Sequence, residues 1–368
     1  MADAMLKSSS ADPNPGQEPT SGPESPYLEA LLRDGPSTYI RNAHAQMERI
    51  RIDDSLLPIV LPQILPDQTH ILSPLAHYVR YTKFEVTKRN PVVPGWAFNA
   101  AFGSYGRLLR LLGLDRVLYA NNWFFTANVD RGFSSPQIRD LTGKLIDRYR
   151  HRAIVYSDVN PKLAPSLYQG LLENGYEMTP SRTAYLFDGR DESWRNKRNN
   201  KIDQRLLEES PYEIVPNDGI RDDEADLLAR LYRQVYILRH TTLNTDLPPE
   251  FFKLTLRDPA FHYRALRKDG RIHAYTSWVM CNGIMMSLTL GHDVNAPRRD
   301  GLYRQIAAII LAEAARERAM LNLGGGAADF KTWRGAVPST EFDAVYDRHL
   351  SPHRRLAWQL VRLQSRAW

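Results

Sequence analysis

The sequence predicts a mixed α/β protein in which central sheets are flanked by helices, and three observations support this fold class. From residue 114 onward, β-rich runs alternate with segments of helical periodicity, which is the pattern of strands connected by helices. A comparable order of elements recurs in the second half of the chain. With 368 residues, the chain is also too long for one ordinary core, so we expect two domains.

The first half predicts the element order β-α-β-α-β. Residues 116–125 are rich in aromatic and β-branched side chains and predict a strand. Residues 134–150 begin with two serines and a proline and then place apolar residues at helical spacing, so they predict a helix. The next predicted elements are a buried strand, a helix closed by Gly175 and another strand, at residues 152–159, 161–176 and 181–188. Upstream, residues 27–53 predict helix and loop, and residues 69–86 predict one or two strands.

The second half predicts a three-stranded meander at residues 261–293, followed by a long helix, a strand, a short helix and a closing strand. Asp-Gly at 269–270 and Asn-Gly at 282–283 divide the meander, and both dipeptides are strong hairpin signals. The long helix, residues 301–320, has Glu313 on its apolar face, so we expect that face to leave the core in the last turns. The last three elements are predicted at residues 320–324, 327–335 and 341–347.

The first 26 residues contain five prolines and no aromatic residue, so they cannot bury enough apolar surface to fold and are predicted to be a disordered tail. We therefore expect a tail at 1–26, a first domain at 27–190 and a second domain at 191–368. No stretch is apolar enough for a membrane span or a signal peptide, and the single cysteine suits a reducing compartment. The expectation is a cytoplasmic protein without membrane contact, present as a monomer or a weak dimer.

Positive charge is concentrated in three segments, and this concentration is more informative than the modest net charge of +6. The segments are residues 148–152, 194–201 and 348–368. They are either ordinary solvated surface or contacts for a polyanion such as RNA. The candidate contacts in the second segment are Arg195, Lys197, Arg198 and Lys201, and the third segment adds Arg354 and Arg355.

Residues 321–338, LNLGGGAADFKTWRGAVP, combine a strand exit, three glycines and an aromatic-lysine pair. Glycines at such an exit indicate a backbone that approaches another molecule closely, or a turn that needs positive φ. Lys331 is then either an ordinary cation on a helix surface or a fixed charge directed at a developing anion.

Two sets of residues resemble the GNAT acyltransferase fold. In the second half, Phe330, Lys331 and Gly335 match the F-K-x-x-x-G segment of tandem-GNAT proteins of the FemABX-like group. The basic residues 194–201 resemble the stretch that this group places between its two domains. The resemblance covers about residues 70–365 and implies two GNAT-like domains in tandem. In the first half, the residues that match the pattern following the fifth strand of that fold are Asn160, Ala164, Tyr168, Gly175 and Tyr176.

The resemblance implies attack by an amine on an activated acyl group, with formation of an amide. The donor in the family is a coenzyme A thioester or the ester of an aminoacyl-tRNA. On this basis, Phe330 would position the donor and Lys331 would stabilise the oxyanion. Gly324, Gly325 and Gly326 would let the backbone approach the acyl group. The acceptor would be an amine of a small molecule or peptide, and no bound cofactor is expected.

The donor site is predicted in the second half, where the sequence departs from the family pattern. Coenzyme A sites in GNAT proteins use R/Q-x-x-G-x-G/A, and here Arg298 and Gly301 match while Tyr303 replaces the second small residue. A bulky ring there would crowd a pyrophosphate on the helix N-terminus, and Asp300 would repel it. This departure favours aminoacyl-tRNA, with acyl-coenzyme A as the alternative. The first half has no comparable segment, and we expect no donor site there.

The general base is the least defined part of the predicted site. His292 and Asp293 end the strand that borders the acyl group in this fold, so His292 could accept the ammonium proton. Alternatively, the pair only caps a turn. The sequence has no motif for a dinucleotide, a P-loop, a zinc ion or a serine nucleophile, and we expect no metal. An alternative from another class of function is a non-catalytic nucleic-acid-binding protein on a GNAT scaffold.

Overall fold

The computed structural model describes residues 26–52, 55–89, 95–125 and 132–366. The predicted disordered tail lies outside these ranges except for Pro26, which begins the first helix. No helix in the described ranges combines the length and the apolar character needed to cross a bilayer.

One mixed sheet of eleven strands forms the centre of the described structure, in the order β1-β2-β3-β4-β11-β5-β10-β9-β8-β7-β6. The strands are β1 (Ala45–Ile52), β2 (Ser55–Pro62), β3 (Val117–Ala120), β4 (Ala153–Val159), β5 (Glu177–Asp188), β6 (Glu213–Pro216), β7 (Phe261–Lys268), β8 (Arg271–Cys281), β9 (Ile284–His292), β10 (Met320–Asn322) and β11 (Val337–Tyr346).

The strand directions are symmetric about the central pair β5 and β11. Next to this pair, β11 with β4 and β5 with β10 are antiparallel. Further out, β4 with β3 and β10 with β9 are parallel, and β3 with β2 and β9 with β8 are antiparallel again. This symmetry agrees with two copies of one α/β unit. Strand β11 lies between β4 and β5, so each half of the chain contributes a strand to the other half's sheet. The boundary near residue 190 stays a prediction.

Helices cover both faces of this sheet. They are α1 (Pro26–Asp34), α2 (Pro36–Tyr39), α3 (Thr82–Arg89), α4 (Gly95–Leu111), α5 (Ser135–Arg148), α6 (Pro165–Glu173), α7 (Arg198–Glu208), α8 (Ala225–Arg233), α9 (Pro249–Arg257), α10 (Leu302–Arg316), α11 (Ala328–Thr332) and α12 (Pro352–Arg366). Two π-helical turns adjoin them, Ala76–Tyr81 before α3 and Gln234–Leu238 after α8. Such turns are rare and occur frequently at functional sites.

The largest apolar core includes residues from both halves of the chain. Tyr27 of α1 is 1% exposed and stacks on Phe125, with ring centroids 5.2 Å apart. The same ring contacts Phe261 of β7 at 5.3 Å. Because large aromatic side chains bury much apolar area, these contacts hold the two halves firmly against each other.

The mixed α/β fold class is confirmed, and most elements from residue 116 onward occur where the sequence predicts them. Both hairpin turns of the meander are present, with positive φ at Asp269, Gly270, Asn282 and Gly283, as tight turns of this kind require. The capping box of Ser134 and Gln137 begins α5.

Two stretches nearer the N-terminus differ from their predictions. Residues 45–52 form strand β1 and pair with β2, whereas the sequence predicts helix and loop there. Residues 76–89 are helical, whereas the sequence predicts strands. Tyr78 and Val79, neighbours in sequence, are both buried. This arrangement suits a helix packed into the core and not a strand with alternating faces.

The prediction that the apolar face of α10 leaves the core at Glu313 is wrong. The Glu313 side chain is 3% exposed and pairs with Arg264 at 2.7 Å and with Arg316 at 2.8 Å. A carboxylate can be buried on an apolar face when it is paired in this way. Helix α10 therefore stays in the core through its last turns.

Candidate active site

The centre of the sheet carries a row of buried polar side chains on strand β11. Ser339, Glu341 and Asp343 alternate along the strand and are all buried, so they lie on one face. Ser339 Oγ donates to Asn160 Oδ1 at 3.1 Å, and Asp343 accepts a hydrogen bond from the Tyr78 hydroxyl at 2.7 Å. Polar groups at the centre of a sheet are costly unless each has a partner. This face of β11 therefore serves more than packing.

Arg182 of β5 contacts the middle of this row. It lies directly opposite Glu341 in the strand register, and its Nε donates to Glu341 Oε2 at 2.7 Å. A second guanidinium nitrogen lies 3.3 Å from Asp158 Oδ1 of β4. The Glu341 side chain is 1% exposed and its other oxygen accepts from Asn322 Nδ2 at 2.8 Å. One arginine thus joins carboxylates from two strands in a fixed geometry.

Both strands beside β11 are irregular next to this cluster. The register of β5 shifts at Ser181, and that of β4 shifts between Tyr156 and Val159, where Asp158 has a φ of 59°. Bulges redirect side chains and are common beside active sites. Burial raises the pKa of the Asp158 carboxyl well above its usual range, while Arg182 acts in the opposite direction. Asp158 can therefore exchange a proton at a higher pH than an ordinary carboxyl.

Lys331 is buried beside this cluster, and its ammonium group is fully hydrogen-bonded to the glycine loop. Its Nζ donates to the carbonyls of Leu323, Gly324 and Gly325 at 2.9, 3.0 and 2.6 Å. Burial lowers the pKa of Lys331 to about 7, with a further lowering by Arg182 and an opposing effect of Glu341. In this arrangement the lysine holds the loop in place. Its predicted contact with an oxyanion stays a prediction and requires the ammonium group to leave one of the three carbonyls.

The glycine loop, residues 324–326, is held by Asn322 and directs the carbonyls of Gly324 and Gly325 toward Lys331. The Gly324 N–H donates to Asn322 Oδ1 at 2.8 Å, which links the loop to Glu341. Gly324 and Gly326 have φ values of 67° and 73°, which favour glycine. Gly325 has no such φ, and a Cβ there would approach no atom closer than 3.4 Å. Neither the backbone conformation nor the packing requires a glycine at 325.

Histidine and tyrosine side chains of the first π-helical turn cover the cluster. His77 Nε2 lies 3.2 Å from Ser181 Oγ, and His77 Nδ1 lies 3.4 Å from His70 Nδ1. Burial lowers the pKa of both imidazoles, so they are neutral bases near neutral pH. Tyr81 is in ring contact with His240, which follows the second π-helical turn, at 5.9 Å. The two π-helical turns therefore meet at this site.

The structure brings three of the predicted site residues together, His292, Tyr303 and Phe330. The Tyr303 ring lies 5.9 Å from His292 and 4.7 Å from Phe330, and Lys331 adjoins Phe330 in sequence. Burial lowers the pKa of His292. Asp293 instead accepts a hydrogen bond from the Asn295 N–H at 3.0 Å and so caps the turn after β9. Its role as a base partner stays a prediction.

Residues 298–303, which partly match the pyrophosphate-binding pattern, lie at the start of α10. Neighbouring side chains pack against this helix start. Gly301 has a φ of 57°, and a Cβ at this position would lie 2.6 Å from the Leu206 side chain of α7. Asp300 accepts a hydrogen bond from the Tyr212 hydroxyl at 2.8 Å, and Arg298 is exposed. The Tyr303 ring packs on Phe330. Coenzyme A binding through this helix start stays a prediction.

The polyanion contacts predicted at residues 194–201 lie on an exposed surface at the start of α7, whereas Arg354 and Arg355 lie on α12. Arg195 pairs with Glu192 at 2.8 Å and lies over the Trp194 ring. The Lys197 side chain packs against Gly335, where an added Cβ would lie 3.2 Å from Lys197 Cε. Arg198 and Lys201 are exposed, and in the described part of the chain they have no ion-pair partner.

A small cavity of about 40 Å³ adjoins the polar cluster at the ends of β3 and β4. Asp158, Asn160, Asn322 and Glu341 provide its polar wall, and the rest is mainly apolar, including Leu163 and Met286. Asn160 Nδ2 is buried and has no hydrogen-bond partner in the described ranges. The cavity has room for about three water molecules. Asp158, Arg182 and Glu341 were not predicted from the sequence, although the alternating polar residues of β11 were an available signal.

The chain is similar in fold to two solved structures. It resembles L-PGS from Bacillus licheniformis with 11% sequence identity and a TM-score of 0.52, over 95% of this chain and 99% of that one. It resembles FemX with 9% identity and a TM-score of 0.51, over 88% of this chain and 91% of that one. No family model and no curated protein sequence matches the chain. The chain therefore shares its fold with FemX and L-PGS, which agrees with the resemblance to the FemABX-like group that its sequence motifs indicate.

Proposed function

We propose that this protein is an acyltransferase that forms an amide by moving an acyl or aminoacyl group onto an amine of a small molecule or peptide. The observation that carries the proposal is the glycine loop fixed by Lys331 beside the buried Arg182–Glu341–Asp158 cluster. The resemblance to the FemABX-like group implies this chemistry, and the fold shared with FemX and L-PGS agrees with it.

The glycine loop is suited to hold the acyl carbonyl. Lys331 binds the loop's carbonyl oxygens on one side. The N–H groups of Gly325 and Gly326 have no acceptor in the described part of the chain, so both can donate to an oxyanion. Preorganised backbone donors of this kind stabilise the charge that forms when an amine attacks an acyl carbon. The absence of a side chain at Gly325 leaves room for the donor.

The polar cavity is suited to the acceptor amine. Asp158 and Glu341 line it and can bind an amino group, while Arg182 keeps both carboxylates in place. The attacking nitrogen forms a bond to the acyl carbon and loses a proton to a base, and Asp158, whose pKa is raised by burial, lies in the wall of the cavity. The C–O bond of a tRNA ester, or the C–S bond of a thioester, then breaks, and the leaving oxygen or sulfur takes up a proton.

Aminoacyl-tRNA is the preferred donor and acyl-coenzyme A the alternative. Leu206 packs against the start of α10, where a pyrophosphate would need close backbone contact. Exposed cations at Arg195, Arg198 and Lys201 are spread over a surface, and dispersed charge of this kind suits an RNA backbone better than a compact thioester.

A donor assay tests the proposal. The purified protein is given a charged tRNA mixture or acyl-coenzyme A together with a set of amines, with and without ribonuclease. We expect transfer from the tRNA mixture that ribonuclease abolishes. Transfer that depends on the thioester and survives ribonuclease would reject the tRNA donor. RNA binding without transfer from either donor to any amine would instead support the non-catalytic nucleic-acid-binding alternative.

A further inference from the structure

A second cavity, of about 320 Å³, lies between the start of β5, the end of β11 and helix α12. It is separate from the candidate active site, because Glu177 at its edge precedes Arg182 by five residues of β5, or about 16 Å of strand. All six residues that line it are polar or charged: Glu177, Asp347, Arg348, Arg355, Gln359 and Arg362.

Arg362 is the buried cation of this cavity and lies beside the buried Asp347. Its side chain is 6% exposed, and it pairs with Glu177 Oε2 at 2.9 Å through Nε and with Asp347 Oδ2 at 3.2 Å through Nη2. Its remaining nitrogen, Nη1, is buried and has no hydrogen-bond partner within the described ranges. A buried guanidinium donor without an acceptor is costly in a folded protein. The described part of the chain supplies no acceptor for this nitrogen, and its side chain lines the cavity.

Arg348 and Arg355 add two positive charges to the cavity. Both are exposed, and neither has an ion-pair partner among the described residues. The two carboxylates of the cavity are already bound by Arg362, so they are less available to a cationic ligand. Three guanidinium groups and two carboxylates line the cavity, which leaves it with a net positive charge.

The surrounding surface extends this positive region. Arg354 donates to the backbone carbonyl of His151 and lies close to Gly113 and Arg116. The structure thus brings together two basic segments that are about 200 residues apart in the sequence. Such a surface attracts anions to the cavity over a distance of about a Debye length.

We propose that this cavity is a binding site for a phosphate group. Guanidinium forks bind phosphate oxygens with paired hydrogen bonds, and Arg348, Arg355 and the unpartnered Nη1 of Arg362 are such donors in the wall of this cavity. The phosphate comes either from a small phosphorylated molecule or from the backbone of an RNA. The site does not depend on acyl transfer.

The test is binding of inorganic phosphate, measured by calorimetry on the full-length protein. The site variant is Arg348→Gln/Arg355→Gln, which removes two exposed charges and leaves the buried Arg362 pairs intact. The control variant is Arg230→Gln/Arg271→Gln, which removes the same charge from exposed positions on α8 and β8. We expect the dissociation constant for phosphate to rise at least tenfold in the site variant and less than twofold in the control.

Two results would overturn the proposal: no binding of phosphate to the wild-type protein, or an equal loss in both variants. Competition then identifies the source of the phosphate. If uncharged tRNA displaces inorganic phosphate and binds the site variant at least tenfold more weakly than the wild type, the ligand is RNA. If tRNA does not displace phosphate while a nucleoside monophosphate or a sugar phosphate does, the ligand is a small phosphorylated molecule.

Discussion

Replacing Lys331 by methionine removes the lysine's hydrogen bonds to the glycine loop but largely keeps the packing of its side chain. Methionine retains a flexible apolar chain that fills similar space, but it cannot donate to the carbonyls of Leu323, Gly324 and Gly325. The Gly324 carbonyl keeps a second donor, the Tyr185 N–H at 3.2 Å. The carbonyls of Leu323 and Gly325 keep no donor among the described residues. The loop should therefore lose its fixed geometry while the fold survives.

The structure sets the size of the effect on stability. A hydrogen bond to a charged group makes a net contribution of about 1.5–3 kcal/mol to stability. The three hydrogen bonds here share one buried ammonium group, and the desolvation of that group offsets part of the gain. Gly325 is exposed, so water can replace the lysine at its carbonyl. We expect the free energy of unfolding at neutral pH to fall by about 1–3 kcal/mol. Transfer activity should fall by about 100-fold or more, because the loop donors are no longer preorganised.

The effect of Lys331→Met should also depend on pH in a defined direction. Burial lowers the pKa of Lys331 from its ordinary value of 10.5 to about 7, with a further lowering by Arg182 and an opposing effect of Glu341. Between these two values the unfolded chain binds more protons than the folded one, so this group makes the wild type more stable as pH rises. The difference in unfolding free energy between wild type and variant should grow by up to about 1.4 kcal/mol per pH unit across this window.

Urea unfolding at several pH values and a single-turnover transfer assay measure these effects. The control is Lys201→Met, because Lys201 is exposed on α7 and has no ion-pair partner in the described ranges; this variant should match the wild type in stability. The reasoning is refuted if Lys331→Met leaves transfer unchanged, or if the stability difference shrinks as pH rises above neutral.

Three further predictions concern the charged network. Arg182→Gln leaves Glu341 and Asp158 without their cation, so urea unfolding should show a loss of about 3–5 kcal/mol, and a loss below 1 kcal/mol would argue against the cluster. Asp203→Ala removes the carboxylate that pairs with Arg304 and Arg334, both at 2.6 Å, and should lower the free energy of unfolding by about 3 kcal/mol. Unchanged stability would show that these ion pairs do not support α11. Reversing Arg195, Lys197 and Arg198 to glutamate should weaken tRNA-dependent transfer and reduce its salt dependence, whereas equal activity at all salt concentrations would place RNA elsewhere.

Local sequence patterns were sufficient to predict the elements of residues 261–347, but not helices α7, α8, α9 and α12 or strand β6. The Asp-Gly and Asn-Gly turns need positive φ, and they divide the meander where the structure does. Helix α10 follows its apolar periodicity. The glycines at 324 and 326 adopt the φ that a glycine-rich strand exit suggests. Each of these features is decided by residues that are close together in the sequence.

The polar cluster could not be predicted because its partners are distant in the sequence. Arg182 pairs with Glu341, 159 residues away, and this pairing depends on β11 lying between β4 and β5. Glu313 was misjudged for the same reason, since its burial depends on Arg264 of β7. The contacts of Lys331 depend on the path of the glycine loop, so the sequence indicated an unusual lysine but not which atoms it binds.

The most direct test of the account is the transfer activity of Gly325→Ala. The fold does not require glycine at this position, because its φ is not in the left-handed region and a Cβ would lie no closer than 3.4 Å to another atom. The matched control is Gly143→Ala on the exposed face of α5, where a Cβ meets nothing within 4 Å. We predict that Gly325→Ala keeps the wild-type unfolding free energy to within about 0.5 kcal/mol and loses at least about tenfold in transfer rate, while Gly143→Ala keeps full activity. Wild-type transfer by Gly325→Ala would contradict the claim that the acyl group is held at the glycine loop.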